Sequence, residues 1–137
     1  MTQLLRDLVA QLSSDITLDD LTRQLGPITH DPGVPMPAEL APRDPAFRHV
    51  QVGRYPETGK PFTVELELAS PIPVAALVAA FGPFRQGRTD RGMPREIHFG
   101  PAGTGPWKIV LAAQLPAGAS PIADGETTTV TLRRDPR

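Results

Sequence analysis

Four arginines, Arg85, Arg88, Arg91 and Arg95, fall within one short segment of the chain. Guanidinium forks match the geometry of carboxylates and phosphates, so such a cluster could hold an anion or an acidic partner. Asp90 and Glu96 interrupt it and the chain is rich in Arg throughout, so a plain solvated loop is the competing reading. The segment begins Gly82-Pro-Phe-Arg-Gln-Gly87-Arg88-Thr89, close to a phosphate-binding loop. Arg stands where that loop requires Lys, the pattern follows a helix instead of a strand, and Gly92 and Pro94 oppose a helix after it. No nucleotide site is expected there.

The histidines are His30, His49 and His98. On alternating strands His49 shares a face with Gln51, and His98 with Glu96, each set opposite the apolar residues of its own strand. Were the two strands neighbours, His49, His98 and Glu96 could converge on a metal or a proton-transfer site; otherwise they are exposed strand polar groups. No His-x-x-x-His spacing occurs, and neither metal nor cofactor is expected. Ser13, Ser14, Ser70 and Ser120 stand in turns or before prolines, where capping explains them, and no Gly-x-Ser-x-Gly elbow exists. Trp107 and Phe62 occupy inward strand positions and read first as core, with a ligand pocket as the alternative. These residues form no catalytic constellation, and the chain is not expected to be an enzyme.

The elements that must position these groups are legible in the spacing. Leu4, Leu5, Leu8, Val9 and Leu12 make one stripe on a helix over 3–12. Thr17 offers an N-cap hydroxyl with Asp20 three positions on, Ile16 and Leu21 supply a hydrophobic staple, and Gly26-Pro27 stops this second helix. A helical hairpin is predicted. Thr29 to Ala46 carries five prolines and reads as a long exposed loop. Strands follow at Phe47–Tyr55 and Pro61–Ala69; in the second, Phe62, Val64, Leu66 and Leu68 alternate with Thr63, Glu65 and Glu67, so one face is buried and the other wet.

The apolar spacing of Ile16, Leu18, Leu21, Leu25 and Ile28 returns 56 positions later in Ile72, Val74, Leu77, Phe81 and Phe84, each copy running into Gly-Pro. The hairpin returns as well. Val50-x-Val52-Gly53 corresponds to Ile97-x-Phe99-Gly100, and Pro61-Phe62-x-Val64 to Pro106-Trp107-x-Ile109. The third helix is apolar on every side, as a buried or partner-facing helix is. A strand over 127–133 closes the chain. The expected fold is α+β in the order α-α-β-β-α-β-β-β. It is read as one domain over 1–137, made of half-motifs 16–69 and 72–115 that share a sheet or pack face to face.

A short helix ending in Leu-Gly-Pro or Phe-Gly-Pro and leading into antiparallel strands, used twice, resembles the tandem modules of the beta-lactamase inhibitor protein and the related single-module outer-membrane lipoproteins of the small-protein-A type. The residues carrying the resemblance are Leu18 to Pro27 and Val74 to Pro83. Cysteines, a signal peptide and a lipidation site are missing from the pattern. The resemblance implies a protein-binding module and assigns no residue a role.

Composition narrows the function classes. With 39% apolar and 21% charged residues the chain reads as a water-soluble globular protein with no membrane-spanning run. The absence of cysteine and of a recognisable leader makes a cytoplasmic location the expectation. Net charge is −1, so the basic surface that drives nucleic-acid binding is missing. Charge is nevertheless uneven: residues 1–70 hold six basic and ten acidic residues, and residues 71–137 hold eight and five. Such an imbalance favours docking of the halves or head-to-tail association, which places a homo-oligomer among the expected assemblies. The expected function is a non-enzymatic interaction module, an adaptor, inhibitor or immunity-type protein, presenting a sheet face and the loops 29–46 and 85–95 to a protein partner. The alternative is a small-molecule or anion-binding domain with a pocket between the half-motifs, lined by Trp107, His98 and Arg95.

Overall fold

Alternation of apolar and polar residues, kept in register from strand to strand, builds an eight-stranded antiparallel sheet in the computed structural model, which describes residues 1–86, 94–118 and 121–137. In chain order the elements are helix α1 (Thr2–Leu12), helix α2 (Leu18–Leu25), strands β1 (Ile28–His30), β2 (Ala38–Leu40), β3 (Phe47–Arg54) and β4 (Pro61–Pro73), helix α3 (Val74–Phe81), and strands β5 (Arg85–Gln86), β6 (Arg95–Ala102), β7 (Trp107–Leu115) and β8 (Glu126–Pro136). A single 3-10 turn, Ile122–Asp124, precedes β8. The strand order is β1-β2-β3-β4-β8-β7-β6-β5. The fold is therefore α+β, and the last strand lies between the two hairpins whose sequences match.

The buried face consists of transverse apolar rows. One runs Ala38, Val52, Val64, Leu132, Leu111, Phe99 across β2, β3, β4, β8, β7 and β6; the next runs Leu40, Val50, Leu66, Val130, Ala113, Ile97. Every member of both rows is at most 2% exposed. Leu5, Leu8 and Leu12 of α1, Leu21 and Leu25 of α2, and Val74 and Leu77 of α3 join them in one core. Burial of a Leu or Val side chain contributes roughly 1.5–3 kcal/mol, so this two-layer core is the main source of stability.

Local signals set the helix ends. Asp20 N–H donates to Thr17 Oγ1 (3.2 Å) while Thr17 N–H donates to Asp20 Oδ2 (2.8 Å), a complete capping box. At the other end of α2, Gly26 adopts φ 143°, and a Cβ there would overlap the Ala41 carbonyl oxygen. The chain needs glycine at that point on both counts.

Three expectations are corrected. Residues 29–46 are not a plain loop, because β1 ends and β2 lies within them, paired antiparallel. Both strands are three residues long, too short for an alternation signal, and β1 is at the sheet edge, where neighbouring prolines cost no ladder bonds. The segment 85–95 likewise begins with β5 and ends in β6, and residues 87–93 lie outside the described residues. Finally, of the two readings of α3, buried or partner-facing, burial on every side does not hold: Val74 and Leu77 are buried, whereas Ala75 and Ala79 are exposed. Alanine gives strong helix propensity with little side-chain area, so its abundance reports helix formation more than burial.

Candidate functional site

Among the described residues, all three helices pack on one face of the sheet, and the opposite face carries none. On that open face the intervening residues form their own rows. The first crosses seven strands: Glu39 (β2), Gln51 (β3), Glu65 (β4), Thr131 (β8), Ala112 (β7), His98 (β6) and Arg85 (β5). The second crosses five: His49, Glu67, Thr129, Gln114 and Glu96. A third brings Thr63, Arg133 and Val110 together. The same register that buries Val64 and Leu132 exposes Glu65 and Thr131, because side chains alternate along each strand.

Several polar groups on this face are already oriented. Gln51 Nε2 donates to Glu39 Oε1 (3.4 Å), Arg48 Nη1 lies 3.8 Å from Glu67 Oε1, and His98 Nε2 is 2.5 Å from Glu96 Oε1. Arg133 donates from Nε and Nη2 to Asp135 Oδ2 at 3.2 and 3.1 Å. Glu65 stands exposed. Val110 is 7% exposed despite facing this side, opposite Arg133 in the ladder. Two depressions mark opposite ends of the face. One, of about 270 Å³, is bounded by Pro35, Pro37, Gln51, Gly53, Thr63 and Glu65. The other, of about 300 Å³, is bounded by Pro71, Pro94, Gln114, Pro116, Glu126 and Thr129.

The arginine cluster is divided by the fold. Arg85 pairs with His98 on the open face, but Arg95 pairs with Leu115 in the inward register, and Arg88 and Arg91 lie outside the described residues. The proposed convergence of His49, His98 and Glu96 does not occur. Strands β3 and β6 are separated by β4, β8 and β7, four strand spacings or roughly 19 Å. Among the described residues no three His, Asp or Glu side chains gather closely enough to hold a metal ion. Nor do Trp107, His98 and Arg95 line one pocket: Trp107 is packed against the core, His98 is on the open face, and Arg95 is at the far end of β6. The place between the hairpins where that pocket was expected is filled by β8.

Two arginines that the sequence did not single out organise the margins of the sheet. Arg134 is fully buried. It donates from Nε to the Leu12 carbonyl (2.9 Å), from Nη1 to that of Pro61 (2.7 Å) and from Nη2 to that of Ser14 (2.9 Å). Its guanidinium carbon lies 4.2 Å from the Trp107 ring centroid, and Tyr55 donates to its backbone carbonyl at 2.5 Å. Desolvation lowers the Arg134 pKa, partly opposed by the charge of Asp15. Burial likewise raises the Tyr55 phenol. The carboxyl of Asp15 is held below its ordinary value by the hydrogen bond and charge of Lys60, 3.0 Å away. Beside this corner a depression of about 240 Å³ is bounded by Tyr55, Glu57, Thr58, Lys60, Trp107 and Pro136.

Arg54 secures the β1–β2 edge. Its Nη1 and Nη2 grip Asp31 at 3.1 and 2.7 Å, Nη2 also donates to the Met36 carbonyl at 3.2 Å, and its side chain is 9% exposed. The signal for each was its place in an alternation, Arg134 after Val130 and Leu132 and Arg54 after Val50 and Val52; their partners, distant in sequence, carried none.

No protein-family model, curated protein or solved structure matches this chain. The functional reading therefore rests on its own residues. No helix among the described residues is long and apolar enough to cross a membrane.

Proposed function

We propose that the protein is a non-enzymatic interaction module that docks a protein partner on the open face of its sheet. The observation that supports this reading is the uncovered face itself, on which ordered polar rows cross seven and five strands. A rigid sheet backed by a continuous core holds these side chains at fixed spacing, which lowers the ordering cost that an interface must meet. The mixture of Glu, Gln, His, Thr and Arg suits a wet, polar interface with many hydrogen bonds. The β1–β2 edge, fastened by Arg54 and Asp31, flanks the same face and extends the contact surface. Exposed Val34 and Met36 supply apolar groups at this margin.

The test is affinity capture from a lysate of the source organism with the tagged chain as bait. Glu65→Lys/Glu67→Lys alters the open face, and Asp7→Lys/Asp124→Lys places the same charge change elsewhere on the exposed surface. A stoichiometric protein retained by wild type and by the control but lost from the face variant supports the reading. A protein lost only from the control moves the docking surface off the sheet.

A further inference from the structure

We infer that the open face is self-complementary and that its partner is a second copy of this chain, stacked face to face about a twofold axis running along β8. The inference rests on the proposed docking face and names its occupant.

The polar rows are centred on β8, with β4, β3 and β2 on one side and β7, β6 and β5 on the other. A twofold axis parallel to β8 and lying between two stacked sheets places β8 on β8, β4 on β7, β3 on β6 and β2 on β5. In the longer row Thr131 then meets its own copy, Glu65 meets Ala112, Gln51 meets His98, and Glu39 meets Arg85. In the shorter row Thr129 meets its own copy, Glu67 meets Gln114, and His49 meets Glu96. Of the five pairs between unlike residues, three set hydrogen-bonding groups against one another and Glu39–Arg85 sets a carboxylate against a guanidinium; the fifth leaves Glu65 over the small Ala112, which offers it no donor. Self-contacts at the axis are threonines, which are neutral and short enough for close approach. Arg133 also faces its copy, but each Arg133 is bound to its own Asp135 and brings its counter-charge with it.

The alternative axis, in the interface plane but across the strands, places β4 on β4 and so brings Glu65 and Glu67 toward their own copies. Like-charge juxtaposition disfavours that arrangement. Charge therefore selects the axis along β8, which sets Glu39 of β2 over Arg85 of β5 in the other copy. Stacked sheets ordinarily cross at about 30°. That angle leaves the central strands superposed and displaces the outer pairs along the strands, where the long side chains of Glu39 and Arg85 bridge the offset. Area also suffices. The five long strands at about 4.8 Å spacing and eight residues each at about 3.3 Å, with the short β2 and β5 beside them, cover roughly 700 Å² per copy, approaching the ~800 Å² of a standard stable interface. The interface is isologous and closed, so it yields a dimer and not a filament.

The test is sedimentation equilibrium of the untagged chain at physiological salt, with circular dichroism confirming that each variant is folded. Wild type is expected to be dimeric. Glu39→Arg and Arg85→Glu each weaken the dimer at least about tenfold, since each places like charges opposite one another twice in the dimer. The reciprocal double variant Glu39→Arg/Arg85→Glu returns the dissociation constant to within about threefold of wild type. A monomeric wild type, a dimer indifferent to both single variants, or a folded double variant that stays weakened would each overturn the inference. If wild type is monomeric while a lysate protein is still captured and lost with Glu65→Lys/Glu67→Lys, self-pairing is refuted and the docking face stands. If neither a dimer nor a face-dependent captured protein is found, both fall.

Discussion

Replacing Arg134 by Met tests how the margin of the sheet is held. The side chain is fully buried and satisfies three carbonyl oxygens, of which the bonds to Leu12 and Pro61 are buried and that to Ser14 partly so. Met fills similar space and donates nothing, so at least two buried carbonyls lose their partner. At about 1.5 kcal/mol each this costs ~3 kcal/mol, and loss of the cation over Trp107 adds ~1 kcal/mol. Relief of guanidinium desolvation and the apolar burial of Met return ~1 kcal/mol. The expected net destabilisation is about 3 kcal/mol, a large part of the stability of an ordinary domain. The assay is urea unfolding followed by the fluorescence of Trp107, the single tryptophan, together with far-UV circular dichroism. The midpoint should fall with an unchanged slope. Arg134→Lys keeps the charge with fewer, differently placed donors and should fall between wild type and Met. A loss below about 1 kcal/mol for Met, or a Lys variant less stable than Met, would show that charge desolvation outweighs the carbonyl bonds and would refute the reasoning.

Other perturbations read other parts of the fold. Thr17→Ala removes the N-cap acceptor of α2 and should cost about 1 kcal/mol by urea unfolding, with Thr17→Ser close to wild type. Gly26→Ala should cost more than about 2 kcal/mol, because positive φ is compounded by overlap with the Ala41 carbonyl; Gly82→Ala, at φ 87° with open space around it, should cost only about 1 kcal/mol in the same assay. Asp15, Asp20 and Asp31 all have lowered pKa values, from Lys60, from the Thr17 N–H with Arg23, and from Arg54 with the Gly33 N–H, respectively. Their unfolded forms take up protons first as pH falls. The stability they contribute is thus present above the unfolded value near 3.8 and is lost as pH drops toward the lower folded values. Thermal midpoints should hold down to about pH 5 and decline below about pH 4. Asp31→Asn should flatten part of that decline.

Much of the local structure was legible because its causes are local. The stripe of Leu5, Leu8 and Leu12 needs only the helical period, the Thr17–Asp20 box only a three-residue spacing, and the wet face of β4 only the alternation of Glu65 and Glu67 with Val64 and Leu66. Short edge strands were not legible. β1, β2 and β5 span three, three and two residues; β2 and β5 exist because a longer strand beside them offers unpaired backbone groups, and β1 because β2 does so in turn. The candidate site depends still more on tertiary structure. His49 and His98 lie on the same face of the sheet, yet whether they meet depends on strand order, and order is decided by which hairpin edges β8 can satisfy together. β8 fits between β4 and β7 because Val130 and Leu132 complete the inward rows on both sides. It thereby separates the histidines and centres the polar rows.

By itself, then, the sequence determined which residues face inward and outward within each long element, since side-chain direction follows from a period of 3.6 or 2 along a single segment. Tertiary structure alone decided which outward residues become neighbours, and that Arg134 at the end of β8 would be buried on three carbonyls. Those outcomes come from pairing segments far apart in the chain, where the free energy lies in ladders and packing that no single segment contains.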